Sequence, residues 1–358
     1  MAGDPLHTPL CDLLGIRLAI FLAPMANGPS TPALAACVSH SGGLGCLGIS
    51  GLTAEEAGRQ VREARELARG APIAVNVQIG PTRGAHVDRE ELDQHFRSLR
   101  DELGVDPDAA RPASDPPRAL LEAALAAGAA AVSVALGDPA EVVDLARAAG
   151  VPLIASASSV AEALQAVESG ADMIVAQGAE GGGHRTTFDV DAGPLPLVGT
   201  MVLVPRVADA VDVPVAAAGG IMDGRGVAAA LALGAQGAWI GTRFMQAAEA
   251  GTAPVHQQAL ARLADTDTLV TDSVTGRPAR WIRNRAVETF ETAPGHLGWP
   301  GQGAVAGPIR AAATKAGDPD LLPMLAGQGG GMVSEVKPAA AIVEELADDA
   351  RRILARLS

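Results

Sequence analysis

Short apolar runs recur along the chain, each introduced by a turn that ends a helix. Gly128-Ala129 precedes Ala131 to Leu136, Gly170-Ala171 precedes Met173 to Gln177, and Gly234-Ala235 precedes Ala238 to Gly241. A proline opens others: Pro72 before Ile73 to Val77, Pro152 before Leu153 to Ala155, and Pro214 before Val215 to Ala218. With Ile20 to Ala23 and Leu44 to Gly48, the runs predict eight strands. They are apolar at nearly every position rather than at alternate ones, as expected when helices cover both faces of a parallel sheet. Parallel strands need crossovers, and each run is followed by helix-compatible sequence.

The helices show their own signals. Thr53 and Glu56 have capping-box spacing, and Ala57, Val61, Ala64 and Ala68 form one stripe, which predicts a helix from Thr53 to Arg69. Thr31-Pro32 predicts another start, with Gly42 as its stop. Eight strand and helix units in about 240 residues fit an α/β (β/α)8 TIM barrel, for which ~250 residues is typical. A doubly wound sheet is the alternative. The expected division is a barrel from residues 1–244 and 332–358 and a smaller, mainly helical C-terminal cap from 245–331 over its mouth. A second excess, Gly80 to Pro117, is rich in charge and proline. Near the C-terminus, Ile342, Val343, Leu346, Ile353, Leu354 and Leu357 share a stripe that returns a helix to the barrel wall.

Composition narrows the function. The 358 residues are 48% hydrophobic and 19% charged, enough to bury a large core. Lys and Arg number 27 against 41 Asp and Glu, and the net charge of −14 opposes a polyphosphate partner. Eight aromatic residues, none of them Tyr, supply no base-stacking platform, so nucleic acid is not expected. Cys11, Cys37 and Cys46 have neither disulfide nor zinc spacing, which points to a reducing compartment and to no metal. The apolar run from Leu18 to Ala26 is too short to cross a bilayer. A cytoplasmic protein that binds small molecules, with homo-oligomers allowed, is the expectation.

In a barrel the chemistry sits just after each strand. Gly219-Gly220-Ile221-Met222-Asp223-Gly224 follows the seventh run and Gly241-Thr242-Arg243-Phe244 the eighth. Glycines at both strand ends let backbone N–H groups approach a phosphate, and a helix starting near Asp223 would add its positive end. Read alone, Gly219-Gly220 also makes a tight turn. After the sixth run, Gln177-Gly178-Ala179-Glu180-Gly181-Gly182-Gly183-His184-Arg185 places one imidazole among glycines. With an ordinary pKa of ~6.5, His184 is the candidate acid or base. A solvent-exposed loop histidine is the bland alternative.

These segments, together with Ala23-Pro24-Met25-Ala26, Gly28-Pro29-Ser30-Thr31-Pro32 and Gly42-Gly43-Leu44-Gly45, resemble the nitronate monooxygenase family, also called 2-nitropropane dioxygenase-like. The resemblance runs from about Leu10 to Gln246 and resumes at Gly327-Gln328-Gly329. It implies an FMN-binding barrel in which Ala23, Pro24 and Met25 lie along the flavin ring, while Asn76 and Gln177 hydrogen-bond it. Gly182, with Gly183 beside it, and Gly219, Gly220, Gly241 and Thr242 would surround the phosphate, and Gln328 and Gly329 would close the site. Asn76 also reads as a strand-end turn residue and Met25 as core. The chain departs from the family at Gly181, at Thr186-Thr187-Phe188 and in having no Tyr.

The implied activity is FMN-dependent oxidation of alkyl nitronates or nitroalkanes with O2, His184 taking a proton from carbon or steadying the anion. The first alternative is an NAD(P)H-dependent flavin reductase of the enoyl-[acyl-carrier-protein] reductase type, which shares the Gly-Gly-His loop. A specialised biosynthetic flavoenzyme and a non-catalytic flavin carrier are the others. Arg280-Trp281-Ile282-Arg283-Asn284-Arg285 is basic within an acidic chain, and reads as a solvated helix face or as a fork for an anion. Trp299 reads as a pocket roof or as cap core.

Overall fold

The computed structural model describes residues 4–105 and 114–357. Eleven strands are present among them: β1 (Ile20–Leu22), β2 (Gly45–Gly48), β3 (Ile73–Gln78), β4 (Ala131–Ala135), β5 (Leu153–Ala157), β6 (Met173–Gln177), β7 (Gly183–His184), β8 (Val215–Ala218), β9 (Gly237–Ile240), β10 (Thr268–Thr271) and β11 (Ala279–Ile282). Eight are parallel, in the order β1-β9-β8-β6-β5-β4-β3-β2, and a bridge between Phe21 and Leu44 joins the two ends. The sheet is thus a closed (β/α)8 barrel, and all eight apolar runs are its strands.

Side-chain alternation sorts the residues of each strand. Phe21, Leu44, Cys46, Ala74, Ala131, Ile154, Met173, Val175, Ala216 and Trp239 fill the barrel interior. The intervening positions, among them Ile20, Leu47, Val75, Val132, Ala155 and Ile174, meet the helices outside. Gly237 is required by this packing, since a Cβ there would collide with the Phe21 ring.

Helix starts follow the capping signals: Thr31 Oγ1 accepts from Leu34 N at 3.0 Å and Thr53 Oγ1 from Glu56 N at 3.2 Å. These helices run Pro32–His40 and Ala54–Leu67. The C-terminal helix, Ala339–Leu357, packs on Pro32–His40 and Gly224–Ala232, but its stripe ends early, with Leu357 76% exposed. No helix is long and apolar enough to cross a membrane among the described residues.

Over the mouth lies a second core of Trp281, Phe290, Val305, Ile309, Leu322 and Met324. The charged excess after Gly80 contributes helices Arg89–His95 and Arg97–Leu103, whose Leu92, Phe96 and Leu99 enter that core; residues 106–113 of the excess lie outside the described residues. The cap holds more than helices, because β10, β11 and β7 form an antiparallel ribbon. The basic segment at Arg280 is therefore a buried strand rather than a solvated helix face, although Arg285 does open a helix and pairs with Glu102 at 2.6 Å.

Candidate active site

The interior positions turn polar at the strand ends. Asn76 shares a face with Ala74, Ser133 with Ala131, Ser156 with Ile154 and Gln177 with Val175, so all four point inward at the mouth. Asn76 Nδ2 donates to Ser133 Oγ at 2.9 Å, leaving its side-chain Oδ1 without a partner among the described residues. The loop after β1 folds onto this layer. Ala23 N donates to the Ile240 carbonyl at 2.8 Å and Met25 N to Ser30 Oγ at 2.8 Å. A Cβ on Gly48 would stand 2.6 Å from Ala26 N, so the loop rests directly on the end of β2. Met25 touches both the barrel core and the cap core, at the boundary between them.

Opposite this loop are the glycines after β8 and β9. Gly219 and Gly220 have φ of 102° and 74°, a left-handed pair that glycine adopts without strain. The N–H groups of Gly219, Gly220, Thr242 and Arg243 donate to no acceptor among the described residues. The positive helix end expected near Asp223 is not free. Asp223 Oδ1 accepts from Arg225 N at 2.9 Å and Gly226 N at 3.3 Å, so the carboxylate fills it. The open donors belong to the turn before the helix. The C-terminal segment crosses here too: Gly327 N donates to Thr242 Oγ1 and Gln328 N to the Glu180 carbonyl, both at 3.0 Å. A Cβ on Gly182 would come 2.5 Å from the Ala326 carbonyl carbon, and one on Gly329 2.6 Å from Met222 Cγ. The Gln328 side chain itself is exposed, and only its backbone holds the crossing.

The loop carrying His184 is braced on every side. The Gln177 amide spans it, donating to the His184 carbonyl at 3.1 Å and accepting from Thr186 N at 3.2 Å, which commits much of the capacity expected for a flavin contact. Buried Arg185 donates to the carbonyls of Gly178 at 2.7 Å and Gln177 at 2.8 Å. The unusual Thr186-Thr187 pair explains itself in the packing. Thr186 Oγ1 donates to the Ser156 carbonyl at 2.7 Å, and Thr187 joins Ser158 and Glu162 in a buried network that also holds Phe188 N. Glu180, within the same loop, accepts from Thr200 N at 2.9 Å and caps the helix Thr200–Ala208.

His184 lies on β7, opposite Ala279 of β11, with Nε2 3.0 Å from Thr275 Oγ1. Burial first, then the Arg277 and Arg310 guanidinium groups, push its pKa down to about 4, so the ordinary value near 6.5 does not apply. The imidazole is neutral at pH 7. His256 is driven to about 4 by burial, with Arg310 again contributing. Arg277 is fully buried; its Nη2 donates to the carbonyls of Leu136, Thr187 and Phe188, and its guanidinium lies 5.8 Å over the ring of Trp299. Trp299 therefore stacks on a cation at the cap's edge. Arg310 has no hydrogen bond or ion pair to its side chain among the described residues, and its Nε is buried. A buried guanidinium nitrogen without a partner is costly unless an anion joins it.

Arg280, the residue weighed as an anion fork, is otherwise engaged: Nε and Nη2 both donate to the Ala179 carbonyl, at 3.0 and 2.7 Å, and Nη1 to Thr268. Sequence reasoning missed Thr275, Arg277 and Arg310, which lie 91 to 126 residues beyond His184 in the chain with no motif marking them.

A solved nitroalkane oxidase from Streptomyces ansochromogenes superposes with a TM-score of 0.86 at 35% identity, covering 98% of this chain and 99% of that one. FabK from Thermotoga maritima superposes with a TM-score of 0.75 at 28% identity, covering 98% of each. A probable nitronate monooxygenase from Staphylococcus saprophyticus is 32% identical over 357 residues, 98% of this chain and 99% of the relative. The nitronate monooxygenase family model matches residues 7–349. The chain therefore belongs to the nitronate monooxygenase family and is an oxidoreductase of the (β/α)8 fold.

Proposed function

We propose that the protein binds FMN at the barrel mouth and oxidises alkyl nitronates, or the nitroalkanes from which they form, with O2. The observation that carries this reading is the neutral His184 beside the unpaired Arg310: an acceptor for a proton and a cation awaiting a negative charge. A nitroalkane losing its α-proton to the imidazole becomes an anion, which both guanidiniums favour. A nitronate arrives already charged and needs no base.

The residues fit the cofactor. Four unengaged N–H groups at adjacent strand ends suit a phosphate, with Gly241 between them and the Ala23–Met25 loop. Gly219, Gly220, Thr242 and Arg243 would hold the phosphate by their backbone. Asn76, through its side-chain Oδ1, and the backbone from Ala23 to Met25 would line the ring, with Gly182, Gly183 and the Gln328-Gly329 crossing at its border. FMN supplies the redox chemistry when bound, taking electrons from the nitronate and returning them to O2. The protein's own part is to seat the anion, to accept one proton at His184 and to exclude water beneath the cap.

Two measurements test the reading. Purified protein should show a flavin spectrum that bleaches on anaerobic addition of a nitronate and recovers with O2. His184→Ala should keep the flavin and lose turnover of the neutral nitroalkane while retaining more of it with the nitronate. Colourless protein that FMN does not reconstitute, or full nitroalkane turnover in the variant, would refute it. Rapid bleaching by NADPH with none by nitronate would transfer the assignment to the reductase alternative.

A further inference from the structure

The ring of His184 has two nitrogens, and its surroundings decide which carries the proton. Nε2 lies 3.0 Å from Thr275 Oγ1, and that same hydroxyl lies 3.0 Å from the carbonyl of Arg277. A threonine hydroxyl has one hydrogen. If it goes to the Arg277 carbonyl, the oxygen accepts from Nε2–H, and the acceptor lone pair of the ring is on Nδ1. If it goes instead to Nε2, the Arg277 carbonyl loses its only hydrogen bond among the described residues and the proton moves to Nδ1, which has no partner among them either. The first arrangement leaves only the Nδ1 lone pair open toward the cleft, whereas the second leaves both the Nδ1–H donor and the Arg277 carbonyl without partners.

Thr275 is held from outside the cleft. Gly276 N donates to the Asp272 carbonyl at 2.6 Å, Arg83 Nη1 to the Gly276 carbonyl at 2.8 Å, and Gln302 Nε2 to the Ser273 carbonyl at 3.0 Å. Arg83 and His296 both grip the Asp272 carboxylate, at 3.1 and 3.4 Å. The hydroxyl thus occupies a preset position instead of following the imidazole.

We propose that Thr275 is a positioning residue that fixes His184 as its Nε2–H tautomer and so makes Nδ1 the proton acceptor for the neutral nitroalkane. This rests on the reading of His184 as the base, and it adds which atom acts and what sets it.

The test uses flavin-loaded protein labelled with 15N in histidine, His184 being identified by the signals lost in His184→Gln. Wild-type protein and Thr275→Ser should show a proton on Nε2 and a pyridine-type Nδ1. Thr275→Val should show a mixture of tautomers, and its kcat with neutral nitroalkane should fall about tenfold, the equivalent of one hydrogen bond. Its KM, its flavin content and its turnover of preformed nitronate should stay near wild type. A proton on Nδ1 in the wild-type protein, or a Thr275→Ser variant as impaired as Thr275→Val, would overturn the proposal, and the former needs no variant to fold. A tautomer fixed by Thr275 together with an active His184→Ala would uphold the positioning and remove the base.

Discussion

The depressed basicity of His184 yields the sharpest prediction. Moving the imidazole from its ordinary 6.5 to about 4 expresses a preference for the neutral ring on the order of 3 kcal/mol. Burial is the largest cause, so it survives when a guanidinium is removed. In wild-type protein, kcat/KM for a neutral nitroalkane should therefore stay level from pH 8 to below 6 and break only on approaching about 4. Arg310→Met, which keeps the volume and removes the charge, should raise the break while leaving it below 6.5. The same variant should bind nitronate less well. At an effective dielectric constant of ~20, a guanidinium acting on an anion across the site would be worth roughly 2 kcal/mol, or about 30-fold in kcat/KM. The assay is oxygen uptake across pH with the two substrate forms supplied separately. A wild-type break at 6.5, or an Arg310→Met profile superimposable on it, would refute both the electrostatics and the role given to the cation.

Other consequences are open to direct measurement. His184 and His256 both bind protons more readily unfolded than folded, so their contribution to stability is complete above pH 6.5 and disappears between 6.5 and about 4; urea melts at pH 5 should lose up to about 2 kcal/mol for each relative to pH 7. Phe290→Ala removes a fully buried ring 4.5 Å from that of Phe96 and should cost ~3–5 kcal/mol, read from the denaturation midpoint. Thr187→Val removes one hydrogen bond from the buried network while Ser158 keeps its bond to Glu162, and should cost ~1 kcal/mol. Gly182→Ala should displace the Ala326-Gly327 crossing and lower the flavin retained on purification, followed by visible absorbance.

The barrel was legible because its signal is local. Uninterrupted apolar strands, glycines after helices and capping pairs each act within a few residues, and Thr31, Thr53 and all eight runs behave accordingly. The ribbon was not legible, since β7 has only two residues and β11 mixes Arg280 with apolar neighbours, a pattern a helix face can also produce. Sequence cannot distinguish an arginine bound to water from one wrapped around the Ala179 carbonyl. At the site, His184 stood out among its glycines, whereas its basicity did not, because that depends on Arg277 and Arg310 arriving from elsewhere in the chain. The filled helix end at Asp223 is not legible for a related reason: a good capping residue consumes the donors that make such an end attractive to ligands.

The two-residue pairing of β7 with β11 joins His184 to the roof above it. Lifting that roof to widen the entrance would pull Ala279 away from His184 and carry off Thr275, only four residues earlier on the same segment. On the proposed role of His184, admission and deprotonation would in this sense be interlocked: any motion that opened the door would also unseat the imidazole's anchor.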